Sequence, residues 1–121
     1  MSNIKITERG WAGHHICANR CRFRRNTLLE YGDKKIVVST VGLKENYYNN
    51  GFDEIWLNRY FETMCFYADL NDTRYYDADV TKQIDFDSQW YIDKIDADDE
   101  ANIMHDNVVK EISEKLLKNE L

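Results

Sequence analysis

Apolar and polar residues alternate along two stretches of this chain, and a period of two marks a β-strand with a buried face and an open one. In the first stretch Cys21, Phe23 and Arg25 fall on one side and Arg20, Arg22 and Arg24 on the other. Gly32 follows, able to take the positive φ of a tight turn. Residues 35–41, KIVVSTV, are then β-branched and apolar, the composition of a buried strand. Together they predict a hairpin. Residues 42–52 read as a loop bounded by Gly42 and Gly51. Residues 60–68 are apolar enough for a strand buried on both faces, and residues 69–73, DLNDT, carry Asx turn chemistry. In the second alternating stretch, residues 75–86, Tyr76, Ala78, Val80, Ile84 and Phe86 share a face, with Asp77, Asp79 and Thr81 opposite. That predicts a second hairpin.

The period then changes. Ala101, Met104, Val108, Ile112 and Leu116 recur at three- and four-residue steps, the stripe of an amphipathic helix. Asp98, Asp99 and Glu100 precede the stripe, and Lys115 and Lys118 close it, as the helix dipole favours. The expected fold is α+β: an antiparallel sheet of four or more strands from two hairpins, with a C-terminal helix on one face. With 121 residues and no linker or repeat, the chain reads as one domain, residues 1–121.

Composition narrows the classes. Hydrophobic residues are 43% and charged residues 31%, a globular balance. No apolar run reaches the ~18 residues of a membrane span, and the N-terminus lacks a leader pattern. Three cysteines and no export signal imply free thiols in the cytoplasm. Net charge is −6, unevenly placed: residues 1–40 hold eight Lys/Arg against three Asp/Glu, and residues 69–100 eleven acids against three bases. Such segregation bears on partners or on internal pairing.

Four groups of residues carry candidate chemistry. His14, His15, Cys17 and Cys21 include zinc-type ligands, although the usual second pair of ligands is missing; the plain alternative is that the cysteines are small buried residues. Arg20, Arg22 and Arg24 would project from one strand face about 6.6 Å apart, a ladder suited to anions, or they would pair with Asp77 and Asp79 on a neighbouring strand. Asp69 opens like a calcium loop, but Arg74 and Val80 stand where glycine and glutamate belong. The run Tyr75, Asp77, Asp79, Asp85, Asp87, Trp90 and Tyr91 interleaves acids with aromatics, either a partner-binding face or a solvated one. Phosphate loops, dinucleotide fingerprints, nucleophile elbows and zinc-protease helices are absent from the sequence.

Residues 9–17, RGWAGHHIC, with 23–29, FRRNTLL, resemble small proteins carried by phages and prophages. The resemblance continues through 60–64, YFETM, 77–80, DADV, and 100–102, EAN. Small acidic phage proteins resemble anti-defence factors of the anti-CRISPR type, which act by binding a host complex. The resemblance implies an inhibitor of a host protein or ribonucleoprotein complex, working in the host cytoplasm and without a cofactor. It assigns no residue a role. The acidic balance disfavours direct nucleic-acid binding. The alternative expectation is a small metal-binding protein or enzyme centred on residues 14–21 and the arginine ladder; a homo-oligomer joined through residues 47–51 is a third.

Overall fold

The Gly32 turn sits at the centre of the architecture. In a computed structural model, which describes residues 3–15 and 17–121, β2 (Cys21–Tyr31) and β3 (Lys34–Asn46) pair antiparallel, with Tyr31 opposite Lys34. Gly32 takes a φ of 61° in the two-residue turn between them. The first two residues, where the leader reading began, and Ile16, inside the 14–21 segment and the phage-like stretch, lie outside the described residues.

Around this hairpin the described residues form one antiparallel sheet of seven strands. β1 (Lys5–Arg9) flanks β2. On the other side β5 (Phe61–Ala68) pairs with β3, and β6 (Ala78–Ile84) with β5. Two short strands extend the ends: β4 (Gly51–Asp53) on β3 and β7 (Tyr91–Ile92) on β5. A single helix, α1 (Asp98–Leu117), lies on one face. The fold is α+β, as expected. No helix is long and apolar enough to cross a membrane among the described residues.

The helix docks through the stripe read from the sequence, all five members of which are buried. Val108, Ile112 and Leu116 meet Leu29, Ile36, Val38, Cys65 and Ile84, while Ala101 and Met104 meet Leu43, Phe61 and Ile92. Full burial of each large side chain contributes about 1.5–3 kcal/mol, so the stripe fixes the helix on this face. A second tether is polar. The Glu111 carboxylate accepts from the backbone N–H of Asp87 and of Ser88, both at 2.8 Å, and from the Ser88 hydroxyl at 2.5 Å. Burial opposes ionisation of Glu111, but these bonds and Lys115 outweigh it and hold its carboxyl at about 2. The loop carrying Asp85, Asp87 and Trp90 is thereby clamped to the helix.

Three expectations are corrected. Residues 42–52 are not simply a loop: β3 runs on to Asn46, turns back, and pairs with β4, with Lys44 opposite Asp53. Gly42 marks a close approach rather than a boundary, since a Cβ there would fall inside the Phe61 ring. Residues 75–86 do not keep one apolar face either. Tyr76 and Ala78 pack on Leu28, Val37 and Ala68, whereas Ile84 and Phe86 join the helix-side cluster. The register shift between Phe66 and Ala68 breaks the alternation that the sequence implied.

The arginine ladder is not formed. Arg20 precedes β2 in a 3-10 turn (Ala18–Arg20), donating to the Glu45 carbonyl at 2.7 Å and lying over Tyr47. Arg22 turns toward the acidic start of α1, beside Asp96, Asp98 and Glu100. Arg24 lies between Phe23 and Arg25, which both meet the helix side, and so faces the other way. Nor can the ladder meet Asp77 and Asp79 across adjacent strands, because β3 and β5 separate β2 from β6.

Candidate binding surface

The face without the helix is built from the opposite set of positions. On β5, Phe61, Thr63 and Cys65 turn toward α1, which leaves Glu62, Met64 and Phe66 on the second face. Residues 10–15 and 17–20 fold over part of that face. Gly13 N–H donates to Ser39 Oγ at 3.0 Å, and Cys21 packs with Val41, Ile55 and Ala12. The loop before β6 covers another part. Its pin is Asp77, which accepts from Trp11 Nε1 at 2.7 Å, Asn26 Nδ2 at 3.0 Å and the Ala78 N–H at 2.8 Å. Arg9 completes the cluster, donating to Asn26 Oδ1 at 2.6 and 2.9 Å and stacking on Trp11. Acidic and basic segments do pair internally, then, but through Arg9 and Asp77.

Between these two covers lies an open concavity of about 740 Å³, floored by Met64 and Phe66 and walled by Ala12, His14, Trp56, Arg59, Glu62 and Val80. Around it, large apolar side chains face solvent: Trp56 is 64% exposed, Leu57 76% and Val80 59%. Arg59 links the concavity to its neighbours, stacking over Trp90 at 4.1 Å and Tyr91 at 4.8 Å from the ring centroids. Tyr91 then borders a smaller acidic hollow with Glu54 and Asp93. The surface is continuous from apolar floor to stacked aromatics to acid.

The polar groups in the concavity are unequal. His15 is fully used: its Nε2–H donates to the Ile55 carbonyl at 2.8 Å and its Nδ1 accepts from Cys17 N–H at 3.1 Å. His14 is only 7% exposed and makes one bond, Nδ1 to Ser39 Oγ at 2.7 Å. Ser39 Oγ also accepts from Gly13, and with its second lone pair and one hydrogen it can meet either tautomer of the ring, so Nδ1 is engaged and Nε2 is left. That Nε2 has no partner among the described residues. Burial, with His15 nearby, holds His14 neutral by lowering its pKa to about 3. Glu62 is also nearly buried and has no ion pair or hydrogen bond among the described residues. Burial pushes its carboxyl up, against the pull of Arg59 and His15.

The sequence-derived candidates are dispersed. His14, His15, Cys17 and Cys21 do not converge, and no group of three or more His, Cys, Asp or Glu side chains placed to hold a metal occurs among the described residues. Cys21 is pushed up to about 11 by burial and its Sγ lies against the Cys17 carbonyl. Of the acidic–aromatic set, Asp77 is a pin, Asp79 is tied to Thr81 and Lys82, and Tyr75 packs edge-on against Trp11. Asp85 and Asp87 are exposed, and Trp90 and Tyr91 stack on each other beside the concavity.

One further histidine lies outside the four candidate groups. His105 is 0% exposed beneath the helix and bonded on both nitrogens, to Thr27 Oγ1 and Thr40 Oγ1, each at 2.7 Å. Thr27 donates onward to Glu8, and Thr63 lies 2.6 Å from Thr40. Because Glu8 only accepts, every hydrogen in the chain is assigned: Thr63 to Thr40 to His105 Nδ1, then His105 Nε2 to Thr27 to Glu8. The signal was available, since residues 101, 105, 108 and 112 share a helical stripe. No family model, curated protein or solved structure matches this chain.

Proposed function

We propose that this is a protein-binding module without catalytic chemistry, whose recognition surface is the helix-free face of the sheet. The observation that carries the reading is an open concavity, floored by Met64 and Phe66 and edged by the exposed Trp56 and Val80, on the face that α1 does not cover. Apolar side chains gathered around a depression are the usual mark of an interface. Arg59, lying over Trp90 and Tyr91, supplies an aromatic and cationic margin, and Asp93 borders the neighbouring hollow with Tyr91, while the exposed Asp85 and Asp87 lie on the loop clamped to the helix. The reactive side chains are held quiet: Cys21 and Cys65 are kept as thiols by burial, and His105 has no free nitrogen. The phage-like residues suggest the class of partner, a bacterial host complex that handles nucleic acid or mounts defence, which the protein would inhibit by occupying it.

Capture of partners from nuclease-treated bacterial lysate tests this. The complex held by the parent protein should be lost with Trp56→Asp and with Asp85→Lys/Asp87→Lys. It should be kept with Ile103→Ser, an equally exposed apolar residue on the helix side, at 60%. Loss with Ile103→Ser alone would move the surface to the other face and overturn the reading.

A further inference from the structure

The two edges of the sheet are built differently. β6 closes its own edge: where β5 advances from Phe66 to Ala68, β6 runs from Gln83 to Ala78, and its surplus residues form a bulge. Within that bulge Asp79 accepts the Thr81 N–H at 3.0 Å and lies 3.9 Å from Lys82. Bulges and charged side chains are the usual means by which an edge refuses a further strand. β1 has neither protection. It pairs with β2 without interruption from Lys5 opposite Glu30 to Arg9 opposite Asn26, and no strand lies on its outer side among the described residues. Two of its charges are tied to β2: Glu8 accepts from Arg25 at 2.8 Å and from Thr27, and Arg9 is held by Asn26. Alternate residues of such a strand present N–H and C=O outward without a partner. Beside them Ile6 is 55% exposed, and Ile4, two residues earlier on the same face, is only partly covered by the helix-side cluster.

We propose that β1 pairs antiparallel with β1 of a second copy of this chain, joining the two sheets across a two-fold axis centred on Ile6. An axis perpendicular to the sheet keeps both helices on one face, so only residues of the same face stand opposite one another. Of the β1 positions that could lie on that axis, Lys5, Glu8 and Arg9 would each set a like charge against itself. Centring on Thr7 would set Lys5 against the partner's Arg9. Ile6 alone gives a register without like charges: it meets the partner's Ile6, Lys5 meets the partner's Thr7, and Ile4 meets the partner's Glu8. The added strand supplies the missing backbone partners and covers Ile6. It lies at the opposite edge of the sheet from Val80, away from the concavity. Because so short a strand makes a small interface, the dimer should be weak, half-formed at about 0.01–0.1 mM.

Sedimentation equilibrium of the full chain, over a concentration series reaching about 1 mM, tests it. The parent should pass from monomer to dimer. Ile6→Lys and Ile6→Glu each set a like charge against itself across the axis, and each should weaken association at least about tenfold. Mixed in equal amounts the two variants should form a heterodimer, because opposite charges then meet. Ile103→Lys, at a similarly exposed apolar position on α1, should leave association unchanged. NMR of the unsubstituted, ¹⁵N-labelled protein reads the same edge: amide shifts with rising concentration should be largest at residues 4–8. That measurement decides the matter even where a variant destabilises the strand. A parent that stays monomeric throughout, Ile6→Lys associating as well as the parent, a mixture no better than its components, or concentration-dependent shifts centred elsewhere would overturn the inference.

Discussion

Two buried histidines lie on opposite faces of one sheet, and their surroundings differ in a single respect. His105, beneath the helix, has both nitrogens bonded in a chain of hydroxyls ending on Glu8. His14, on the bare face, has one nitrogen bonded and one without a partner among the described residues. Burial keeps both neutral, at about 4 and about 3 respectively. A closed network stabilises the fold, whereas an open one costs stability and leaves a polar atom unsatisfied. The same residue type is thus closed into the structure on one face and left open on the other.

The largest way to break the comparison is His105→Leu. It strands the Thr40 hydroxyl hydrogen and deprives Thr27 Oγ1 of its incoming bond in the core, besides leaving the space of the ring imperfectly filled, and should cost about 3 kcal/mol in urea unfolding. Acid comes next. Both histidines titrate below their ordinary 6.5, so the unfolded chain takes up protons first. Stability is therefore complete above about pH 6.5 and falls as pH drops toward 4, by on the order of a few kcal/mol in total. Glu8, held below its usual range by Thr27 and Arg25 against its own burial, adds to the loss once pH falls below 4.5. A stability curve flat from pH 7 to 4 would contradict the assignment of both rings as neutral. Asp77→Ala should cost about 2 kcal/mol by releasing Trp11 and Asn26, whereas reversal at Asp85 should leave the melting curve unchanged. Glu111→Gln, weakening the clamp on residues 87–88, should cost about 1 kcal/mol. Smallest is His14→Leu, at most about 1 kcal/mol, because losing the Ser39 bond is offset by removing the orphan. If His14→Leu proves as damaging as His105→Leu, the two faces are not different in kind.

Much of the candidate surface was nameable in advance, although its roles were not. Trp90, Tyr91, Asp85 and Asp87 were read as one interface strip, but only Trp90 and Tyr91 reach the concavity, through Arg59 stacked over them; Asp85 and Asp87 lie on the loop clamped to the helix, and Asp77 of the same strip is spent on Trp11 and Asn26. His14 stood out because it neighbours His15 and two cysteines, a pattern suggesting metal. Its geometry instead depends on Ser39, twenty-five residues away on β3. Glu62 lay unnoticed inside an apolar run, where its charge was the one discordant letter.

Local rules were enough for the central hairpin and the helix, though not for β1, β4 and β7. The hairpin followed from Gly32 between alternating and β-branched runs, and the helix from a stripe that is buried residue for residue. Periodicity reports which side of its own element a residue occupies, and that is a local property. It cannot report a shift of register between two strands, and the one at Phe66 and Ala68 divided an apolar face between two clusters. It also cannot say which buried polar groups find partners, because Thr27, Thr40 and His105 meet only when two strands and a helix close on one another. The sequence by itself determined the central hairpin, the strand after it and the helix. Tertiary structure alone decided the short flanking strands, which face the helix left bare and which histidine kept a nitrogen without a partner among the described residues, because hydrogen bonds and burial are settled between elements.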